Sequence, residues 1–149
     1  MKIAYRIKEL TASHLTPEFF TTLEHLSKTV EPSIAKAKKT LKLIRKNPSH
    51  KIFVAVDKHN KAIGLITLVI EQKFIHWFGK MSHIEDVVVR SGFEGQGIGS
   101  ALVKRAIAAA KKAGCYRIRL FCSDKNLKFY KRAGFFQHEN GMQLDINYQ

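Results

Sequence analysis

Cysteine, proline, tryptophan and acidic residues are all scarce in this chain, and so are long apolar runs. Two cysteines occur among 149 residues, Cys115 and Cys122. They bracket one candidate strand, and seven residues of extended chain span about 23 Å, far beyond disulfide reach. They read as reduced thiols of a reducing compartment, and two isolated cysteines make no zinc pattern, so no metal is expected. With three prolines, the chain shows no linker, repeat or low-complexity segment. No apolar run approaches the ~18 residues of a membrane span, and no signal-type apolar core follows the basic N-terminus. A cytoplasmic protein with no membrane partner is the expectation.

Acidic residues number 12 against 26 lysines and arginines, a net charge of +14. Such a field draws polyanions: phosphorylated cofactors, nucleic acid, acidic surfaces. The cations are dispersed, with Lys36, Lys38, Lys39, Lys42, Arg45 and Lys46 on one candidate helix and Lys104, Arg105, Lys111 and Lys112 on another. They form no nucleic-acid motif. A phosphate-rich small ligand accounts for them as well as DNA does, and solubility accounts for them without any partner.

The length suits one domain, residues 1–149, with a sizeable core. Tyr5 to Glu9 reads as a strand. Thr16-Pro17-Glu18 reads as a helix start with proline at its first position, followed by Phe19, Leu23 and Leu26 at helical spacing. Pro32 to Lys46 predicts a second helix, ended by Asn47-Pro48. Lys51–Val56 and Ala62–Glu71 read as a hairpin. Gln72–Met81 reads as a continued strand or a packed loop, and His83–Val89 as a further strand. A helix is predicted over Ala101–Lys112, with Gly114 beyond its end. Cys115–Cys122 reads as a strand, and Ser123 as the cap of a helix reaching Arg132. Phe135–Glu139 and Met142–Tyr148 flank Asn140-Gly141, a strong hairpin signal. The predicted order is β-α-α-β-β-β-α-β-α-β-β, an α/β fold with a mixed, mostly antiparallel sheet flanked by helices.

Between the strand ending at Val89 and the following helix lies Phe93-Glu94-Gly95-Gln96-Gly97-Ile98-Gly99-Ser100. A glycine-rich turn feeding a helix N-terminus is an anion site: glycines allow positive φ and close backbone approach, and the first helical amides lack intrahelical acceptors. The spacing misses the P-loop, since no Gly-Lys-Ser/Thr follows, and it misses G-x-G-x-x-G because position 100 is serine. Alternating glycines suggest amides turned towards one diphosphate.

The segment Val87 to Leu102 resembles the acetyl-CoA signature of the GNAT N-acetyltransferases, a Q/R-x-x-G-x-G/A pattern. Asn126-Leu127-Lys128-Phe129-Tyr130-Lys131-Arg132-Ala133-Gly134-Phe135 resembles the same family's later N-x-x-F-Y-x-x-x-G-F motif. The resemblance implies the GNAT fold and acetyl-CoA as donor. Its diphosphate would lie on amides of Gly95, Gln96, Gly97, Ile98, Gly99 and Ser100, and its pantetheine arm along Val87, Val88 and Val89 as an added strand. Asn126 would join the cofactor contacts, and Tyr130 would place its hydroxyl near the thioester sulfur. Aminolysis of a thioester needs a proton or hydrogen bond for the departing thiolate, which a tyrosine supplies at its ordinary pKa of about 10.

Ile70–His76, Ser82–Val87, Gly114–Tyr116 and Leu10–Glu18 are similar to the glucosamine 6-phosphate N-acetyltransferase branch. By that resemblance Glu85 and Asp86 help hold the amino sugar, Lys73 to His76 line the site, Glu85 assists catalysis, and a homodimer is implied. Adjacent strand residues point to opposite faces, so only one of Glu85 and Asp86 is expected to face the cleft. Three positions depart from the pattern. Glu94 replaces the usual glutamine or arginine, Phe121 stands where the branch carries Asp or Glu, and Asp145 stands where it carries an arginine for the sugar phosphate. An anion there repels a phosphate, and Lys28, Lys73 or Arg119 would have to compensate. The sequence reading is therefore an acetyl-CoA-dependent N-acetyltransferase with an amino sugar as leading acceptor. Another amine (a polyamine, an aminoglycoside-like molecule, a protein lysine or N-terminus) stays open, as does a non-catalytic nucleic-acid-binding module.

Overall fold

The computed structural model of the chain describes residues 3–28 and 30–146. Among these, five strands form one sheet in the order β1-β2-β3-β4-β5: β1 (Arg6–Glu9), β2 (His50–Val56), β3 (Ala62–Gln72), β4 (Lys80–Val89) and β5 (Cys115–Arg119). The first four pair antiparallel, and β5 joins β4 in parallel. A parallel pair needs a crossover, and helix α3 (Ile98–Lys112) supplies it. Helices α1 (Pro17–Leu23) and α2 (Ile34–Arg45) lie between β1 and β2 in the chain, and α4 (Leu127–Arg132) follows β5.

The apolar runs of β2 and β3 are continuous because both faces of the sheet are covered. Phe53 and Ala55 of β2 pack with Leu102, Val103 and Ala106 of α3. Their neighbours Val54 and Val56 turn to the other face, against Phe19, Phe20 and Leu41 of α1 and α2. Each such large side chain contributes about 1.5–3 kcal/mol on burial. α2 begins where Ser33 accepts the Lys36 amide at 3.3 Å, as an N-cap should. Lys111 and Lys112 sit at the negative end of α3. No helix is long and apolar enough to cross a membrane among the described residues.

Four expectations are corrected. Residues 72–81 are neither one continued strand nor a packed loop. β3 ends at Gln72, and a single helical turn, Ile75–Phe78, follows with His76, Trp77 and Phe78 at φ +51°, +52° and +58°. Its aromatic rings stand in solvent, Trp77 94% exposed. The strand read over Cys115–Cys122 stops at Arg119, because β4 diverges from it there. Ser123 precedes a 3-10 turn, Asp124–Asn126, without a side-chain capping bond, and α4 starts at Leu127. Phe135–Glu139 and 142–146 form no strands; Tyr148 lies outside the described residues. An Asn-Gly hairpin needs positive φ at both central residues, but Glu139 takes it instead, at +60°. The alternating Met142, Leu144 and Ile146 find no apolar face and stay exposed.

Candidate active site

β4 and β5 pair from Lys80–Cys115 to His83–Arg119, with a bulge at Tyr116 between the first two pairs, and then part. β4 continues against β3 as far as Val89, so from Ile84 onward its other edge has no strand partner among the described residues. Side chains at this divergence enclose a cleft of about 250 Å³, lined by Glu85, Asp86, Val87, Phe121, Asn126 and Tyr130 among others.

The paired carboxylates owe their positions to a β-bulge. Leu65 of β3 pairs with Val88 and Thr67 with Glu85, so β4 places two residues, Asp86 and Val87, opposite the single Ile66. Asp86 takes φ +52°, a conformation that costs a non-glycine residue about 1–3 kcal/mol and that clusters at functional sites. The extra residue breaks the alternation assumed from sequence. Both Glu85 and Asp86 therefore line the cleft, which corrects the expectation that only one would. The Thr67 hydroxyl donates to Asp86 Oδ2 at 3.4 Å.

Tyr130 forms part of the cleft wall and is only 7% exposed. Phe129 meets its ring edge-on at 4.9 Å and Phe135 at 6.0 Å, which fixes its orientation. Burial pushes its phenol pKa above the usual 10, and Cys122 adds to the shift. The hydroxyl therefore remains a proton donor at neutral pH. Asn126 closes the 3-10 turn and stands at the N-cap position of α4, the reason it shares the cleft with Tyr130.

At the far end of β4 the chain turns through Gly95 and Gly97 at φ +71° and +82°. Gly97 is the N-cap of α3 and provides no side-chain cap, so the amides at the helix start lack side-chain acceptors and remain available to an anion. A Cβ at Gly99 would stand 3.3 Å from Phe129 Cζ, which ties the turn closely to the α4 motif. Gln96 points away: its Oε1 accepts the Ile3 amide at 3.4 Å. Glu94 is folded back, its Oε2 accepting the Gly92 amide at 2.7 Å. Uncapped amides, a glycine cradle and an unpaired strand edge fit the diphosphate and amide-bearing arm of acetyl-CoA. Val88 turns its side chain into the core, while Val87 and Val89 are half-buried.

Lys73 and His76 are not cleft residues, contrary to expectation. Lys73 directly follows the end of β3 and His76 lies in the left-handed turn beyond it. Lys73 Nζ pairs with Glu71, and the His76 ring rests on Tyr116 at 4.3 Å. Asp145 is exposed and accepts from Gln143 Nε2 at 2.6 Å. Sequence reading missed Leu26 and Cys122, which also line the cleft. Leu26 fell on the helical spacing of α1, but α1 ends at Leu23 and Leu26 sits in the turn beyond it. Thr67 was also missed; its signal was a lone hydroxyl within the otherwise apolar run from Ala62 to Ile70 of β3.

Residues 12–135 match the model of the acetyltransferase (GNAT) family. A glucosamine 6-phosphate N-acetyltransferase of Oryza sativa subsp. japonica is 30% identical over 146 residues, covering 95% of this chain and 87% of that one. One from Dictyostelium discoideum is 38% identical over 103 residues, covering 68% of this chain and 64% of its own length. The chain thus spans less than two thirds of that relative. The crystal structure of glucosamine-6-phosphate N-acetyltransferase from Arabidopsis thaliana superposes with a TM-score of 0.92 at 29% identity, covering 97% of this chain and 99% of that one. The open edge of β4, the glycine turn at the uncapped start of α3 and the family match agree, and this chain belongs to the acetyltransferase (GNAT) family.

Proposed function

We propose that the protein transfers the acetyl group of acetyl-CoA to the amine of an amino sugar, with glucosamine 6-phosphate as the leading acceptor. The observation that carries this reading is the convergence of Tyr130, Asn126 and the Glu85–Asp86 bulge at the cleft, where the unpaired edge of β4 leads to the uncapped start of α3. The acceptor follows from relatives named for that reaction. In the step itself the amine lone pair forms a C–N bond to the thioester carbonyl carbon and the C–S bond breaks. Tyr130 donates a proton to the departing sulfur. Glu85 or Asp86 holds the amine and accepts its proton, directly or through water. Neither Cys115 nor Cys122 has a histidine or lysine adjacent in the sequence to activate it, which favours direct transfer over an acyl-thiol route. The same reading makes the protein a cytoplasmic homodimer. The exposed Phe136, Met142, Leu144 and Ile146 support it, since an alternating apolar segment gains from a partner surface.

A thiol-release assay with acetyl-CoA and a panel of amines, confirmed by mass spectrometry of the products, tests the reaction. Glucosamine 6-phosphate is expected to give the highest kcat/KM. Tyr130→Phe keeps the ring and is expected to lower kcat at least tenfold, with KM for acetyl-CoA within about twofold, given that a positioned acid contributes ~10²–10⁴-fold. Turnover with no amine overturns the activity, and preference for a polyamine or peptide lysine overturns the acceptor. Sedimentation analysis decides the dimer.

A further inference from the structure

Asp145 cannot serve the acceptor phosphate and Lys73 pairs with Glu71, which leaves Lys28, exposed in the turn after α1, and Arg119, on the strand beside the cleft. We infer that Arg119 is the phosphate-binding and specificity-determining residue of the acceptor site; the inference rests on the reading above. Arg119 is the last residue of β5 and pairs in register with His83 of β4, the final pair before the strands part. Strand alternation puts His83 on the same side as Glu85, two residues on, and Arg119 on the same side as Phe121. Ile118 and Leu120 turn the other way, into the core beneath α3. Arg119 therefore stands at the apex of the divergence, on the face from which Glu85 and Phe121 enter the cleft.

Its guanidinium is incompletely satisfied. Nε is shielded from solvent and has no hydrogen-bond partner. Nη2, which shares an edge with Nε, has among the described residues only Glu139 Oε2 at 3.9 Å, beyond hydrogen-bond distance. A shielded cationic donor without an acceptor is unusual and calls for one. The Nε–Nη2 edge is the fork that takes two oxygens of a carboxylate or phosphate side by side. That a carboxylate of the chain's own C-terminal segment hovers there shows the edge attracts an anion.

The neighbours leave the place open. Glu71 accepts from both Lys73 and His83, the latter at 3.2 Å. Those two contacts hold its carboxyl below the usual range, so it stays ionised and occupied away from Arg119. From Arg119 to Glu85 is one strand spacing and two residues of rise, roughly 8 Å between Cα atoms, comparable to the span of one phosphorylated hexose. An amino sugar lying along β4 would thus present its amine to the carboxylate pair and its phosphate to Arg119, displacing Glu139. This arrangement would restore the cation that Asp145 lacks, from a different element of the fold.

The decisive measurement is discrimination, the ratio of kcat/KM for glucosamine 6-phosphate to that for glucosamine. Arg119→Met is expected to lower the ratio at least tenfold, and Arg119→Lys, which keeps the charge without the fork, to lower it less. A ratio within twofold of wild type in both variants, each with an unchanged melting temperature, overturns the assignment. Should Arg119→Met fail to fold, Arg119→Lys alone decides. Calorimetric binding of glucose 6-phosphate, which has no amine, separates this inference from the activity. Binding by wild type that is lost in Arg119→Met supports the subsite even if no amine is acetylated. Binding that is absent, or equal in both proteins, removes it even if acetylation is robust.

Discussion

Gly97→Asp isolates the contribution of the glycine turn. Gly97 sits at φ +82° as the N-cap of α3, and a Cβ there would meet only Tyr5 Oη at 3.7 Å. The substitution thus carries no steric clash. It carries the cost of a left-handed L-residue, about 1–2 kcal/mol, reduced for aspartate by its tolerance of that region. What it adds is a negative charge where a diphosphate should lie. Placed ~5 Å from one phosphoryl charge, it is repelled by about 0.8 kcal/mol in bulk water and about 3.3 kcal/mol at an effective dielectric constant of 20. For the two phosphoryl groups together even a value near the lower end exceeds the ~1.4 kcal/mol of a tenfold change. Acetyl-CoA affinity by isothermal titration calorimetry is expected to fall more than tenfold, with the loss shrinking in high salt as screening predicts. Gly97→Ala, which bears the strain without the charge, is the control and should lose much less. Affinity within twofold of wild type in a folded Gly97→Asp protein would refute the placement of the diphosphate at this turn.

Two further outcomes test the packing and the titration behaviour of the fold. At Gly64 a Cβ would stand 3.0 Å from the Val88 carbonyl oxygen and 3.1 Å from both Ile98 Cγ2 and Leu102 Cδ1. Gly64→Ala should therefore cost about 1–3 kcal/mol, a fall in melting temperature of roughly 2–4 °C per kcal/mol; an unchanged or raised value would show that β3, β4 and α3 are not so closely apposed. His14 is buried, accepts the Thr11 amide at Nδ1 over 3.0 Å, and faces the Lys8 ammonium and the Asn60 amide. Burial first, then Lys8, lowers its pKa below 6.5, while Asn60 opposes the shift. A depressed folded-state pKa means the stability is complete above pH 6.5 and declines as the pH falls through the folded value. Urea denaturation between pH 7.5 and 5 should show that decline in wild type and a flatter profile in His14→Gln; parallel profiles would exclude His14 as its source.

What was legible in the sequence was whatever local chemistry dictates. The glycine turn could be read because positive φ and an uncapped helix start are properties of a few consecutive residues. The strands β2 and β3 could be read because burial on both faces demands an unbroken apolar run. The Asn140-Gly141 hairpin was an equally local signal, and it failed. A turn can only align two strands, and Met142, Leu144 and Ile146 settle on no apolar face among the described residues and stay exposed. The convergence of the site was not legible at all. Asp86 is not a glycine, and nothing in its neighbours announces a left-handed residue in a strand. Without that extra residue the alternation rule would hold, and one of the two carboxylates would point away from Tyr130. Likewise the parting of β4 from β5 after His83–Arg119 leaves no mark in composition, yet it frees the strand edge and leaves Arg119 at its apex. The residues of the site are thus specified locally, but their chemistry depends on one β-bulge and one parting of strands that only the assembled sheet determines.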